Sequence, residues 1–269
     1  MVKSATDWLF DQLVHHQDFW MPPVKELRYL KLPVPPMDNT VRKLSLYKAK
    51  GRPAGRDPDL AFLKEAAALA GQPRDLEKYA GLFRFKGARL SGDISPGYYD
   101  LDGDDIVPIA QRFPRLKIVL MVRDPLERVW SHISMRYREG HFDAALLSDA
   151  NAFSRWFADS EVRRACFATQ AARRWAEFAP TIAFRHFFFD DVEHAPASVR
   201  ADIITYLGGS PRRTSGNLEP GYNRKANVPK LPMPSPIKTH LLEQLAEEFR
   251  NCAQSFGGHA KDWPARYGL

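Results

Sequence analysis

The chain has 269 residues, 44% of them hydrophobic, and a formal net charge of +7. That length can bury a full core, and a mean hydropathy of −0.41 with no bilayer-length apolar run excludes a membrane-spanning helix. The basic balance suits an anionic partner, but the cations are dispersed, without zinc spacing or an RNA-binding aromatic motif, so nucleic acid is set aside.

MVKSATDWLF lacks the basic-then-apolar design of a secretion signal, and Cys166 and Cys252 fall in helical patterns as reduced core residues. A cytoplasmic location is expected. Leu9, Phe10, Leu13 and Val14 share a helical stripe over residues 5–15. WMPPVKELRYL follows as a short strand or loop, and the proline-, glycine- and charge-rich run from KLPVPPMDNT through KGRPAGRDPD reads as irregular surface. FLKEAAALAG predicts a short helix with a glycine stop, ARLSGDIS a strand, and SPGYY a turn. DIVPIAQRF predicts a helix interrupted or re-entered at Pro108.

KIVLMV is a buried strand, and Leu126, Val129, Trp130, Ile133 and Tyr137 then recur at helical spacing. Asp124 as cap and Pro125 at the first helical position mark that start. EVRRACFATQAARRWAEF predicts a helix, TIAFRHFFF a strand, and ASVRADIITYLG a helix ended by glycine. GYNRKANVPKLPMPSP is a basic loop before a long amphipathic helix over IKTHLLEQLAEEFRNCAQSFG. Alternating strands and helices predict a mostly parallel sheet covered on both faces, and no linker divides the expected single domain of residues 1–269.

In such a sheet, ligands sit beyond the carboxyl ends of the strands, where helix N-termini converge. Arg123 stands at such an end, with Ser131 two turns along the following helix. A guanidinium fork and a hydroxyl beside helix N–H groups suit a phosphate, although a solvated strand end carries the same residues. Lys3, Ser4, Ala5 and Thr6 before the first helix suit a second anion cradle, or an ordinary capped terminal helix.

The ordered set VKSATDWL, HHQDFWMPPVKELRYL, SGDISPGYY and KIVLMVRDPLERVWSHISM resembles the PAPS-dependent sulfotransferases, nearest to the bacterial group related to heparan-sulfate and other carbohydrate sulfotransferases. FFFDDVEHAPASVRADIITYLG and YNRKANVPKLPMPSPI continue the likeness in the family's order over almost the whole chain. The resemblance implies an α/β, P-loop NTPase-like three-layer fold with a central, mostly parallel sheet flanked by helices. It implies sulfonate transfer from PAPS to a hydroxyl or amine of a carbohydrate or small-metabolite acceptor, releasing PAP without a metal. Lys3, Ser4, Ala5 and Thr6 would hold the 5′-phosphosulfate, and Arg123 and Ser131 the 3′-phosphate. Asn223, Arg224 and Lys225 would close over the nucleotide. Glu26 matches the catalytic base of the carbohydrate branch, and Lys3 would stabilise charge on the leaving oxygen. Neither nucleic-acid nor membrane partners are implied, and oligomeric state has no signature.

Two departures accompany the likeness. The family's central strand before the loop lysine is missing or truncated, unless another segment fills the slot. Ala5, Thr6 and Asp7 replace a glycine and two threonines, so alanine would occupy a position suited to φ > 0 and Asp7 would bring negative charge toward a dianion, or interact with its own helix start. Alternatives are a catalytically impaired nucleotide-binding relative and a P-loop small-molecule kinase, the latter without a full Walker loop or an evident magnesium carboxylate. Glu26 also reads as half of an exposed pair with Lys25, while His15, His16 and His132 are alternative bases. Asp93 and Ser95 either line the acceptor site or form a turn, Tyr98 and Tyr99 read as packing residues or as sugar platforms, and Trp20 and the FRHFFF phenylalanines read as core.

Overall fold

The computed structural model describes residues 1–49, 58–213 and 231–269. In chain order the helices before the sheet are α1 (Thr6–Val14), α2 (Asp38–Ala49), α3 (Pro58–Ala68), α4 (Leu76–Leu82) and α5 (Gly103–Arg112). Strand β1 (Lys117–Val122) leads to α6 (Pro125–Arg138), α7 (Ala150–Asp159), α8 (Glu161–Arg164) and α9 (Ala168–Phe178). Strand β2 (Ala183–Phe188) leads to α10 (Phe189–His194), α11 (Pro196–Leu207) and α12 (Ser235–Phe256).

β1 and β2 pair in parallel, from Lys117 opposite Ala183 to Val122 opposite Phe188. These are the two strands of the sheet among the described residues. Period-two alternation sends Val119 and Met121 into a core with Trp8, Leu9 and Leu13 of α1 and Ile203 and Ile204 of α11. Leu120 and Val122 enter a different core with α6, α7 and α12, closed by Trp263. Helices therefore cover both faces of the sheet. A third core gathers Trp20, Leu27 and Tyr29 against α3, α4, α5 and Trp175. Both strands become more buried toward their carboxyl ends.

Several expectations change. ARLSGDIS is no strand: it makes an isolated parallel bridge between Phe19 and Leu90, and its glycine and following proline give little for a ladder to extend. The stretch read as irregular surface contains α2, so the Asn, Thr and Lys-rich composition after Asp38 misled the reading, and residues 50–57 lie outside the described ones. EVRRACFATQAARRWAEF forms α8 and α9 in place of one helix. Residues 1 and 2 form no strand, and Met1 is buried in the same core as Leu120 and Val122.

α5 runs through Pro108 without a break. Proline lacks the N–H that would bond the carbonyl four residues back. That carbonyl, on Asp104, accepts instead from Arg74 Nη2 at 3.1 Å. The same guanidinium donates to the Leu30 carbonyl at 2.7 Å and to the buried Asp105 carboxylate, which also accepts from the Leu32 amide at 3.1 Å. One side chain thus repairs α5 and ties down residues 30–32. Arg74→Ala is expected to cost about 3–5 kcal/mol in urea unfolding, because Asp105 loses its buried partner. A loss under about 1 kcal/mol would contradict that role.

Candidate functional site

Val122 ends β1 and Arg123 follows, beside Phe189, the first residue of α10 directly after β2. The parallel register brings the Arg123 guanidinium carbon to 4.0 Å from the Phe189 ring centroid. Its Nη1 reaches the Lys3 carbonyl at 3.3 Å, and its Nη2 reaches Glu127 at 3.5 Å. Burial works against its charge, while Glu127, Glu193 and Asp124 offset that effect. Asp124 caps α6 as expected, accepting from the amides of Leu126 at 3.0 Å and Glu127 at 3.2 Å. Burial pushes its carboxyl up to about 6, against the pull of the Glu127 amide and the Tyr267 hydroxyl.

Arg123 and Lys3 share one cavity of about 810 Å³. Ala5, Thr6, Ser131 and Glu26 line it too, so residues 120 positions apart in sequence converge. Ala5 adopts the left-handed region at φ 63° and offers α1 no side-chain cap. The first-turn N–H groups of α1 therefore stand at the cavity wall with the positive end of the helix dipole. Ser4 departs from the expected set: its side chain is fully buried, off the cavity wall, and its hydroxyl has no hydrogen-bond partner among the described residues. The Asn223, Arg224 and Lys225 loop lies outside the described residues.

Asp7 neither caps α1 nor faces the cavity unpaired; it forms an ion pair with Lys25. The expected Lys25–Glu26 pair is accordingly replaced, and Glu26 bonds Arg28 Nη2 at 2.6 Å. Two more pairs stand on the same wall, Lys31 with Asp100 and Arg136 with Glu161. Glu26 and Arg28 have φ of 61° and 55°, and Lys3 has φ 61°. Four of the five non-glycine residues with positive φ among the described residues, counting Ala5, thus line one cavity; each conformation costs about 1–2 kcal/mol.

Of the alternative bases, His15 bonds the Asp11 carbonyl within its own helix, and His16 is buried between the Ser210 carbonyl and the Asp18 amide. His132 alone among these three lines the cavity, joined by His141, which sequence reasoning missed. Asp93 and Ser95 lie off the wall, whereas Pro96, Tyr98 and Tyr99 are on it. Trp20, Phe187 and Phe188 are core, as expected. Arg28, Lys31 and Asp100 were also missed, and Phe189, read as core, lines the cavity.

Behind the wall, Arg128 is 1% exposed, and none of its guanidinium nitrogens has a hydrogen-bond partner among the described residues. Burial, together with Arg128, Arg136 and Lys3, pushes His132 down to about 3. The arrangement offers helix amides and cations for an anionic ligand and a carboxylate for a proton.

Among solved structures, the fold matches a sulfotransferase from Alicyclobacillus acidocaldarius with a TM-score of 0.65 and 18% identity, over 97% of this chain and 94% of that one. The sulfotransferase domain of the Synechococcus PCC 7002 olefin synthase aligns over 91% of each chain with a TM-score of 0.48 and 18% identity. The sulfotransferase domain of the curacin biosynthetic pathway aligns over 91% of this chain and 94% of that one, with a TM-score of 0.47 and 15% identity. No protein-family model and no curated protein matches the sequence. The first match establishes a shared fold: this α/β chain is built like that structure.

The neutral state of His132 has a measurable consequence. Its unfolded form takes up a proton near pH 6.5 while its folded form resists to about 3, so folding stability is lost as pH falls through that window. NMR titration is expected to show no His132 protonation between pH 5 and 8, and His132→Asn to lose less stability than the parent between pH 6.5 and 4. A midpoint above pH 6 would contradict this.

Proposed function

We propose that the protein is a sulfotransferase using PAPS as sulfonate donor, within a P-loop-like three-layer fold. The observation that carries this reading is the convergence of Lys3, Thr6, Arg123, Ser131 and Glu26 on one cavity, at the sheet edge where the sequence resemblance puts donor and acceptor. Bound PAPS would supply an activated sulfonate on a phosphate leaving group. The residues fit it: the uncapped start of α1 and Lys3 offer donors for the 5′ end, and Arg123 with Ser131 offers a fork and a hydroxyl for the 3′-phosphate. The cavity is within the range that holds a nucleotide-sized ligand.

Three roles follow by analogy with phosphoryl transfer, where positioning and charge stabilisation dominate. Lys3 balances the charge that grows on the leaving phosphate oxygen. Glu26 takes the proton of the acceptor hydroxyl or amine, with Arg28 fixing its carboxylate. Arg123 and Ser131 hold the nucleotide still. The acceptor is an uncharged hydroxylated molecule, a neutral carbohydrate or small metabolite. Support comes from four ion pairs on the wall, apart from Lys3 and Arg123, and from the Pro33, Pro35, Pro96 and Tyr98 rings that also line it.

PAP is expected to raise the melting temperature while ATP does not, and the reverse would favour a kinase. Transfer of label from sulfur-labelled PAPS to an acceptor pool separates an enzyme from an inactive nucleotide-binding relative. Arg123→Ala is expected to weaken PAP binding by about 10- to 100-fold, through lost charge-assisted hydrogen bonds. Glu26→Gln is expected to keep PAP affinity and lower kcat by about 10²- to 10⁴-fold; unchanged turnover would refute the base assignment.

A further inference from the structure

We infer that Asp93 is a positioning residue that holds the loop carrying Glu26 in register with the cavity, acting through the hydroxyls of Ser95 and Tyr98. This rests on the reading of Glu26 as the base. The loop from Glu26 to Leu30 has left-handed backbone at Glu26 and Arg28, belongs to no helix or strand, and yet must hold one carboxylate still. Four of its five amides are directed at one short segment. Glu26 N–H donates to the Ile94 carbonyl at 3.1 Å, and the Leu27 amide helps lower the Asp93 carboxyl against its burial. Arg28 N–H donates to Ser95 Oγ at 3.0 Å, and Leu30 N–H to the Tyr98 hydroxyl at 3.3 Å.

A hydroxyl is both donor and acceptor, so it can receive an amide in a fixed direction only when its own proton is committed elsewhere. Asp93 makes that commitment. Ser95 Oγ donates to Asp93 Oδ1 at 2.9 Å, and the Tyr98 hydroxyl donates to Oδ2 at 2.5 Å. Tyr79 donates to the same Oδ2 at 3.4 Å, from a ring stacked on Tyr29 at the loop's far end. One carboxylate therefore orients two hydroxyls, and these receive two loop amides, while a third amide meets the carboxylate directly. Burial raises the Asp93 carboxyl, and the hydrogen bonds from Tyr98, Ser95 and Tyr79 offset part of that rise. Asp93 itself lies off the cavity wall, so its influence on an acceptor is indirect, through the Glu26 loop and the Tyr98 ring that line the wall.

Asp93→Asn keeps the shape but supplies an amide where an acceptor oxygen stood. It is expected to lower kcat by about 10- to 100-fold through misplacement of Glu26, with KM for PAPS and the PAP-induced melting shift within about twofold of the parent. Hydrogen exchange on the same variant reads the lock without turnover: the amides of Leu27, Arg28 and Leu30 are expected to exchange faster, and those of α1 to stay unchanged. Tyr98→Phe, which keeps the ring, is expected to act in the same direction at Leu30 and serves if Asp93→Asn does not fold. Unchanged exchange at these amides, or unchanged kcat beside an inactive Glu26→Gln, overturns the inference. A joint fall of kcat and PAP affinity also overturns it, as a merely structural role. Full activity in Glu26→Gln would remove the base assignment instead, and the exchange result would then decide on the lock alone.

Discussion

The guanidinium of Arg123 is the point on which the site depends. The parallel register sets Val122 beside Phe188, so the next residue of each chain segment, Arg123 and Phe189, must also lie side by side. A cation beside an aromatic ring is the direct result, and the same guanidinium reaches across to the carbonyl of Lys3. Three segments that share no sequence proximity are thereby joined at one group. The cap on α6 fixes the fourth direction, because Asp124 starts the helix that presents Ser131 and His132.

Around that junction the backbone is held in conformations that free chains avoid. Lys3, Ala5, Glu26 and Arg28 all lie in the left-handed region, and such strain persists only where the surroundings over-determine it. For residues 26–30 the surroundings are the donors and acceptors of residues 93–98. For Ala5 they are the α1 packing of Trp8, Leu9 and Leu13 against α11 and the sheet. Tension near a reactive carboxylate and stiffness beneath it are two sides of one arrangement.

Much of this was legible in the sequence. β1, β2, the Asp124 cap, Gly208 as the stop of α11 and the long α12 follow from periodicity and end signals that packing reinforces. Lys3, Arg123, Ser131 and Glu26 were marked by residue type and order, and the structure brings them to one cavity. Pairings across the chain were not legible. Nothing local tells that Asp7 turns to Lys25, that Glu26 turns to Arg28, or that Ser4 faces inward. Pro108 misled because the rule against helix prolines counts a lost bond, and the guanidinium that restores it comes from residue 74. α2 was hidden by prolines and polar residues that suit a loop as well as a surface helix.

That restored bond links matters usually kept separate. Arg74 serves the Asp104 carbonyl inside α5 and the Leu30 carbonyl beside Lys31 and Leu32, which lie on the cavity wall. The position of α5 and that of the wall residues Lys31 and Leu32 are consequently coupled through one guanidinium. A displacement of the helix would reach the cavity wall through that side chain.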